Sequence, residues 1–180
     1  MSDNRNSLSP EVTSLLEASI KLAKALKSSA ILILSEVPYD FREIQNQFKS
    51  IRLIVATDKP KVKEAVKEDD IDLIELLNEP GTRQNQLGQS LLEGLADELI
   101  SNGDSVVTLY AVFNREDVDT ISVITLGDQL SRLTSRDLQR LERSLSKRFA
   151  SSSIWLVKLV GKVAKGNLSG RCLSSGIIAK

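Results

Sequence analysis

This 180-residue chain encodes an α/β domain with three layers, α/β/α, around a mainly parallel five-stranded sheet. Three observations carry that reading. Helix-spaced and strand-like segments alternate along residues 1–144. The strand-like runs are short and continuously apolar, as in the Ala-Ile-Leu-Ile-Leu stretch at 30–34, which suits strands covered on both faces. Only residues 114–119 separate the last two runs, too few for a parallel crossover, so the fifth strand is expected to be antiparallel and at an edge.

The elements follow in order. Ser9 is a good N-cap, Pro10 suits the first helical position, and Glu11 favours the positive end of a helix dipole. Val12, Leu15, Leu16, Ile20, Ala23 and Leu26 then recur at helical spacing. The first strand is 30–34, and a short helix is expected over 39–48. The second strand is 51–57, and Asp58 is placed to cap the helix that holds Val62, Ala65 and Val66. The third strand is 71–76, followed by a turn of Asn78, Glu79, Pro80 and Gly81. A long helix is expected over 83–101, with Leu87, Leu91, Leu92, Leu95, Ala96 and Leu99 on its apolar face and Asn102-Gly103 as its stop. The fourth strand is 106–113 and the fifth 120–126. Thr134 can cap a last helix containing Leu138, Leu141 and Leu145. The first four strands are expected to be parallel.

Composition bounds the setting. Hydrophobic residues make up 41% and charged residues 27%, enough for a core and a wet surface. The net charge of zero gives no general attraction to nucleic acid. No apolar run reaches the ~20 residues that span a bilayer, and the polar start MSDNRNSLSP is unlike a signal peptide. The lone Cys172 has no internal disulfide partner. These features together predict a cytoplasmic protein without a membrane partner.

The charge is unevenly placed. All 24 acidic residues and sixteen of the 24 basic ones lie in 1–142, a net of −8, and the remaining eight basic residues follow Glu142. We therefore divide the chain into an α/β domain, 1–144, and a basic tail, 145–180. The tail breaks the α/β rhythm. The ten residues at 161–170, GKVAKGNLSG, have a codon spelling that reads REGREGKPIG when the frame moves back one base. Extended both ways, the shifted reading restores an amphipathic helix, a Gly-rich turn and a buried-strand pattern. The tail is accordingly expected to be out of frame and to have no evolved packing partner.

The restored junction, together with SAILIL, IRLIVATD, VVTLYAVF and DTISVITLGDQLSRLTSRDLQRLERS in the body, resembles a known family. It is that of bacterial diadenylate cyclases related to DNA-integrity-scanning proteins. Some long members carry an N-terminal α/β domain similar to the C-terminal domain of pyruvate kinase. The resemblance covers residues 15–144 and implies a strand order of 3-2-1-4-5. It also implies a non-catalytic regulatory or oligomerisation domain of a protein that condenses two ATP into cyclic di-AMP.

In such sheets ligands sit beyond the carboxyl ends of strands, where the order reverses. The candidate ligand residues are therefore Ser35 and Glu36 after the first strand, with Tyr39 further along, and Thr57, Asp58 and Lys59 after the second. Asn78 and Arg83 flank the turn after the third, and Asn114 and Arg115, with Glu116, follow the fourth. Lys59 and Arg83 could neutralise a phosphate with help from helix N-terminal amides. The local alternative is that Asp58 and Asn78 are caps and turn formers and the charges are solvated. Pyruvate kinase-like domains bind a sugar phosphate through a Ser/Thr/Gly-rich loop after the first strand. The loop here is SEVPYDF, with no glycine and two acids.

Catalytic chemistry is not evident. The chain has no histidine, which removes His-dependent triads, the commonest metal ligand and the Arg-His-Arg signature of the cyclases. Gly127-Asp128 has the order of the cyclase Asp-Gly-Ala signature reversed. No Walker or GxGxxG loop is present. The carboxylate pairs Asp69-Asp70 and Glu116-Asp117 read as exposed loop charges. No cofactor or metal is expected, and no catalytic residue is assigned. Two other readings stay open: a sensor for a phosphorylated metabolite or nucleotide, and a nucleic-acid or membrane adaptor working through the basic tail. A homo-oligomer and a phosphorylated small-molecule effector are the expected partners.

Overall fold

A serine, a proline and an apolar stripe start the structure. Ser9 accepts from the Val12 amide and Pro10 occupies the first turn of α1 (Pro10–Leu26), so the predicted cap is the observed one. The computed structural model describes residues 5–77, 82–113 and 117–127, and all of them fall in one compact unit, Met1–Gln129. After α1 come β1 (Ala30–Leu34), α2 (Phe41–Phe48), β2 (Arg52–Thr57), α3 (Pro60–Glu68), β3 (Asp72–Glu75), α4 (Arg83–Ala96), β4 (Ser105–Tyr110) and β5 (Thr120–Thr125). Among the described residues no helix is long and apolar enough to cross a membrane. The helix predicted after Thr134 and the basic tail lie outside the described residues.

The sheet has the order β3-β2-β1-β4-β5. Strands β1 to β4 run parallel, and β5 pairs antiparallel with β4 from Ser105↔Thr125 to Tyr110↔Thr120. Chain geometry explains the layers. Stepping from β1 to β2 to β3 by right-handed crossovers puts α2 and α3 on one face, and the return from β3 to β4 puts α4 on the other. Ile31, Ile33, Leu53, Val55, Val107 and Leu109 therefore pack with Val12, Leu16, Phe41, Ile44, Phe48, Val62 and Val66 from α1, α2 and α3. Phe41 and Phe48 are fully buried; each contributes on the order of 1.5–3 kcal/mol by leaving water. On the opposite face, a Cβ placed on Gly94 of α4 would lie 3.1 Å from Cδ1 of Ile74. A side chain there would press on the ends of Ile74 and Ile100, so glycine permits the close approach of α4 to β3.

β4 ends at Tyr110 rather than at the expected 113, because the Val112 and Phe113 amides turn to the Asp119 carboxylate. Two further features differ from the sequence expectation for a physical reason. The predicted helix 83–101 ends at Ala96. Glu98 turns left-handed at φ 59°, its amide donates to the Leu95 carbonyl (3.3 Å) and the Leu99 amide donates to the Gly94 carbonyl (2.9 Å). This is a Schellman ending. It returns Ile100 to the core, where it is 4% exposed. Gly103, at φ 91°, shapes the later turn into β4 instead. Lys27 and Asp70 close α1 and α3 in the same left-handed way. The second difference concerns Asp58, which does not cap α3. Lys59 holds the N-cap position without a side-chain bond, and Pro60 leaves one fewer amide to satisfy.

A further correction concerns Asp69. It is not an exposed loop charge but is 7% exposed. Its carboxylate accepts from Arg5 Nη1 at 2.8 Å and from the Phe41 and Arg42 amides at 2.9 and 3.3 Å. A residue at the end of α3 thus caps α2 from outside, beside the local cap in which Asp40 accepts from the Glu43 amide at 2.8 Å. Arg5 also reaches Glu68, and the Asn6 amide donates to the Pro38 carbonyl at 2.7 Å. The N-terminal arm is clasped to the loop that leaves β1.

Candidate functional site

The carboxyl ends of β1 and β2 sit side by side in parallel register, Leu34 beside Ala56, and the residues that follow them turn out of the sheet. Ser35 and Thr57 are buried, but their polar groups shape their own loops. The Ser35 amide donates to the Ala56 carbonyl at 3.1 Å, and its hydroxyl donates to the Val37 carbonyl at 2.7 Å. The Thr57 hydroxyl accepts from the Lys59 amide at 3.1 Å, and its carbonyl accepts from the Leu76 amide at 2.9 Å.

The charges above this floor are paired. Lys59 Nζ lies 3.0 Å from the neighbouring Asp58 carboxylate, which is what that carboxylate does in place of capping. Arg83, the first residue of α4, donates through Nη2 to Glu36 and through Nη1 to Gln86 at 2.9 Å. Glu36 and Arg83 are 47 residues apart in sequence and each is 21% exposed. Their contact ties the loop after β1 to the start of α4, where Thr82 caps by accepting from the Asn85 amide.

The loop after β4 is also held from outside. The Asp119 carboxylate accepts from the Val112 and Phe113 amides at 2.8 and 2.7 Å and from the Thr120 hydroxyl at 2.7 Å. The buried Tyr39 donates its hydroxyl to Asp117 at 2.8 Å, joining the loop after β1 to the segment before β5. Burial, then the bond to Asp117, pushes the Tyr39 hydroxyl well above its ordinary pKa. Phe113, held by its backbone, is 92% exposed.

Of the residues predicted from sequence, Glu36 and Arg83 are brought together, as are Asp58 and Lys59, over the buried Ser35 and Thr57. Asn78, Asn114 and Arg115 lie outside the described residues, as does Glu116. Sequence reasoning missed Gln86 and Asp119, and it read Asp117 as an exposed loop charge, whereas Asp117 is half-buried and accepts from the Tyr39 hydroxyl. Asp119 accepts from amides six and seven residues earlier, a reach that no local turn signal encodes. Among the described residues no group of three acidic, Cys or His side chains could hold a metal ion.

Comparison with known proteins adds two findings. A family model described as "Probable sensor domain DacZ_P" matches residues 11–134. Two solved structures of pyruvate kinase from Cryptosporidium parvum share the fold. The first has a TM-score of 0.55 at 15% identity, covering 67% of this chain and 24% of the enzyme. The second has a TM-score of 0.53 at 14% identity, covering 67% and 23%. The chain therefore spans about a quarter of those enzymes' length. No curated protein matches it in sequence.

Proposed function

This chain belongs to the DacZ_P family of sensor domains, and on that premise we propose that it is a non-catalytic sensor that regulates a diadenylate cyclase-like protein. The signal is a phosphorylated metabolite or nucleotide held at the carboxyl ends of β1 and β2, beside the first turn of α4. The single observation that supports this site is the Glu36–Arg83 pair, which bridges the loop after β1 and the start of α4. It ties the loop after β1 to the helix that follows β3, at the carboxyl ends of the parallel strands, the side on which ligands sit in such folds.

Magnitudes favour an exchange of partners. A partly exposed ion pair contributes about 0–1 kcal/mol. A micromolar ligand contributes about 8 kcal/mol, so an anion can take Arg83 from Glu36 with most of its affinity intact. Releasing Glu36 would free the loop after β1 from α4, and that change is the message passed to the cyclase. A cytoplasmic setting and assembly with further copies of itself belong to the same proposal.

The test uses the purified full chain. Thermal shift against nucleotides, sugar phosphates and inorganic phosphate should find a stabilising ligand, and Arg83→Ala and Lys59→Ala should lose the shift. Incubation with ATP and Mg²⁺ or Mn²⁺ should yield no cyclic di-AMP; clear turnover would overturn the non-catalytic assignment.

A further inference from the structure

We infer that the ligand of this site is a nucleoside phosphate, with its base stacked on Phe113 and its phosphate on Arg83. The inference rests on the site proposed above and deepens it. Phe113 is the most exposed large apolar residue described, at 92%, against 46% for Leu26 and 45% for Val112. It is not a loose side chain on a loose backbone. The Asp119 carboxylate accepts the amides of both Val112 and Phe113, and Tyr39 fixes Asp117 two residues earlier. A ring presented to water on a pinned backbone is preorganised for stacking, and stacking is tolerant of which base it receives.

The placement matches the other half of the ligand. Leu34 and Tyr110 are register partners at the ends of β1 and β4, and adjacent strands lie about 4.8 Å apart. Glu36 follows Leu34 by two residues and Phe113 follows Tyr110 by three. Glu36, to which the Arg83 guanidinium is bonded, and Phe113 therefore follow neighbouring parallel strands, β1 and β4, between which the strand order reverses. Arg83 offers a planar fork suited to phosphate oxygens, while Glu36 competes for it. Glu36 thus sets a threshold, and a free phosphate without a base has only the fork to hold it.

Isothermal titration of the full chain with AMP, ribose 5-phosphate and inorganic phosphate tests this. AMP should bind on the order of tenfold more tightly than ribose 5-phosphate, the gain of one stacked base. Phe113→Ala should remove that advantage and leave ribose 5-phosphate binding unchanged, since its exposed ring supports no core. Glu36→Gln should tighten both several-fold, and Arg83→Met should abolish both without loss of the folded circular dichroism. If ribose 5-phosphate binds as well as AMP, or Phe113→Ala changes nothing, the nucleoside assignment fails while the anion site stands. If none of the three probes binds, the nucleoside assignment and the anion site fail together.

Discussion

Replacing Asp69 by alanine should destabilise the domain by about 2–4 kcal/mol. The carboxylate is 5% exposed and is shared by three elements: the N-terminal arm through Arg5, the first turn of α2 through the Phe41 and Arg42 amides, and the end of α3 that carries it. Removing an acceptor from a helix N-terminus costs about 1 kcal/mol, rising toward about 3 where, as at Phe41, the amide is left buried and unmade. The charged bond to Arg5 adds about 1.5–3 kcal/mol at full burial. It deserves the lower end, because the Arg5 side chain is 21% exposed and keeps Glu68 within 3.2 Å. Domains of this kind hold about 5–15 kcal/mol in total, so the loss should be plain in urea unfolding followed by far-ultraviolet circular dichroism. The midpoint should fall while the slope is unchanged. Arg5→Ala should cost about 1 kcal/mol, and the double variant should cost less than the sum of the two. A loss below about 0.5 kcal/mol for Asp69→Ala would refute the shared-acceptor reasoning, since burial this deep leaves no water to replace three donors.

Other expectations concern packing, protonation and the gene. Gly88 has nothing within 4 Å of a built Cβ, whereas Gly94 would bring its Cβ to 3.1 Å from both Ile74 and Ile100. Gly88→Ala should stabilise by about 1 kcal/mol through helix propensity, and Gly94→Leu should destabilise by about 1–3 kcal/mol through overpacking; equal effects in thermal unfolding would contradict the close approach of α4 to β3. Lys63 and Lys67 hydrogen-bond Glu75 and hold its carboxyl below the ordinary 4.5. The resulting stability is complete above that value and is lost as pH falls through the lower folded value, so Lys63→Met should move the Glu75 titration upward in carboxyl carbon NMR. Burial raises the Tyr39 pKa above 10.0, so its contribution is present below that value and lost as pH rises through the folded one. An ultraviolet pH titration should show a tyrosine that resists ionisation at pH 10 and disappears in Tyr39→Phe, which should itself cost about 1 kcal/mol. Sequencing the gene across the codons for 140–180 tests the expectation of a displaced frame: an uninterrupted original frame with no cyclase coding downstream would end it.

Local signals made much of the body legible. The Ser9-Pro10 start of α1, the apolar run of β1 and the short link before β5 each depend on neighbours in sequence, so their physics was on the page. The parallel core and antiparallel edge followed from them, and family resemblance supplied the strand order that the sheet displays. Position at the strand ends was legible too, which is why Glu36, Thr57, Lys59 and Arg83 could be nominated.

What each of those side chains does was decided by the tertiary structure. Asp58 looked like a cap and holds Lys59 instead. Asp69 looked solvated and caps a helix 28 residues earlier. Arg83, at the start of the helix that follows β3, meets Glu36 only because the parallel order β3-β2-β1 brings the carboxyl ends of these strands to one edge of the sheet. A backbone chooses helix or strand from the few residues around it, so that choice is written locally. A buried polar group must take whichever partner the packing brings within 3 Å or so, and that partner is set by chain crossings tens of residues apart.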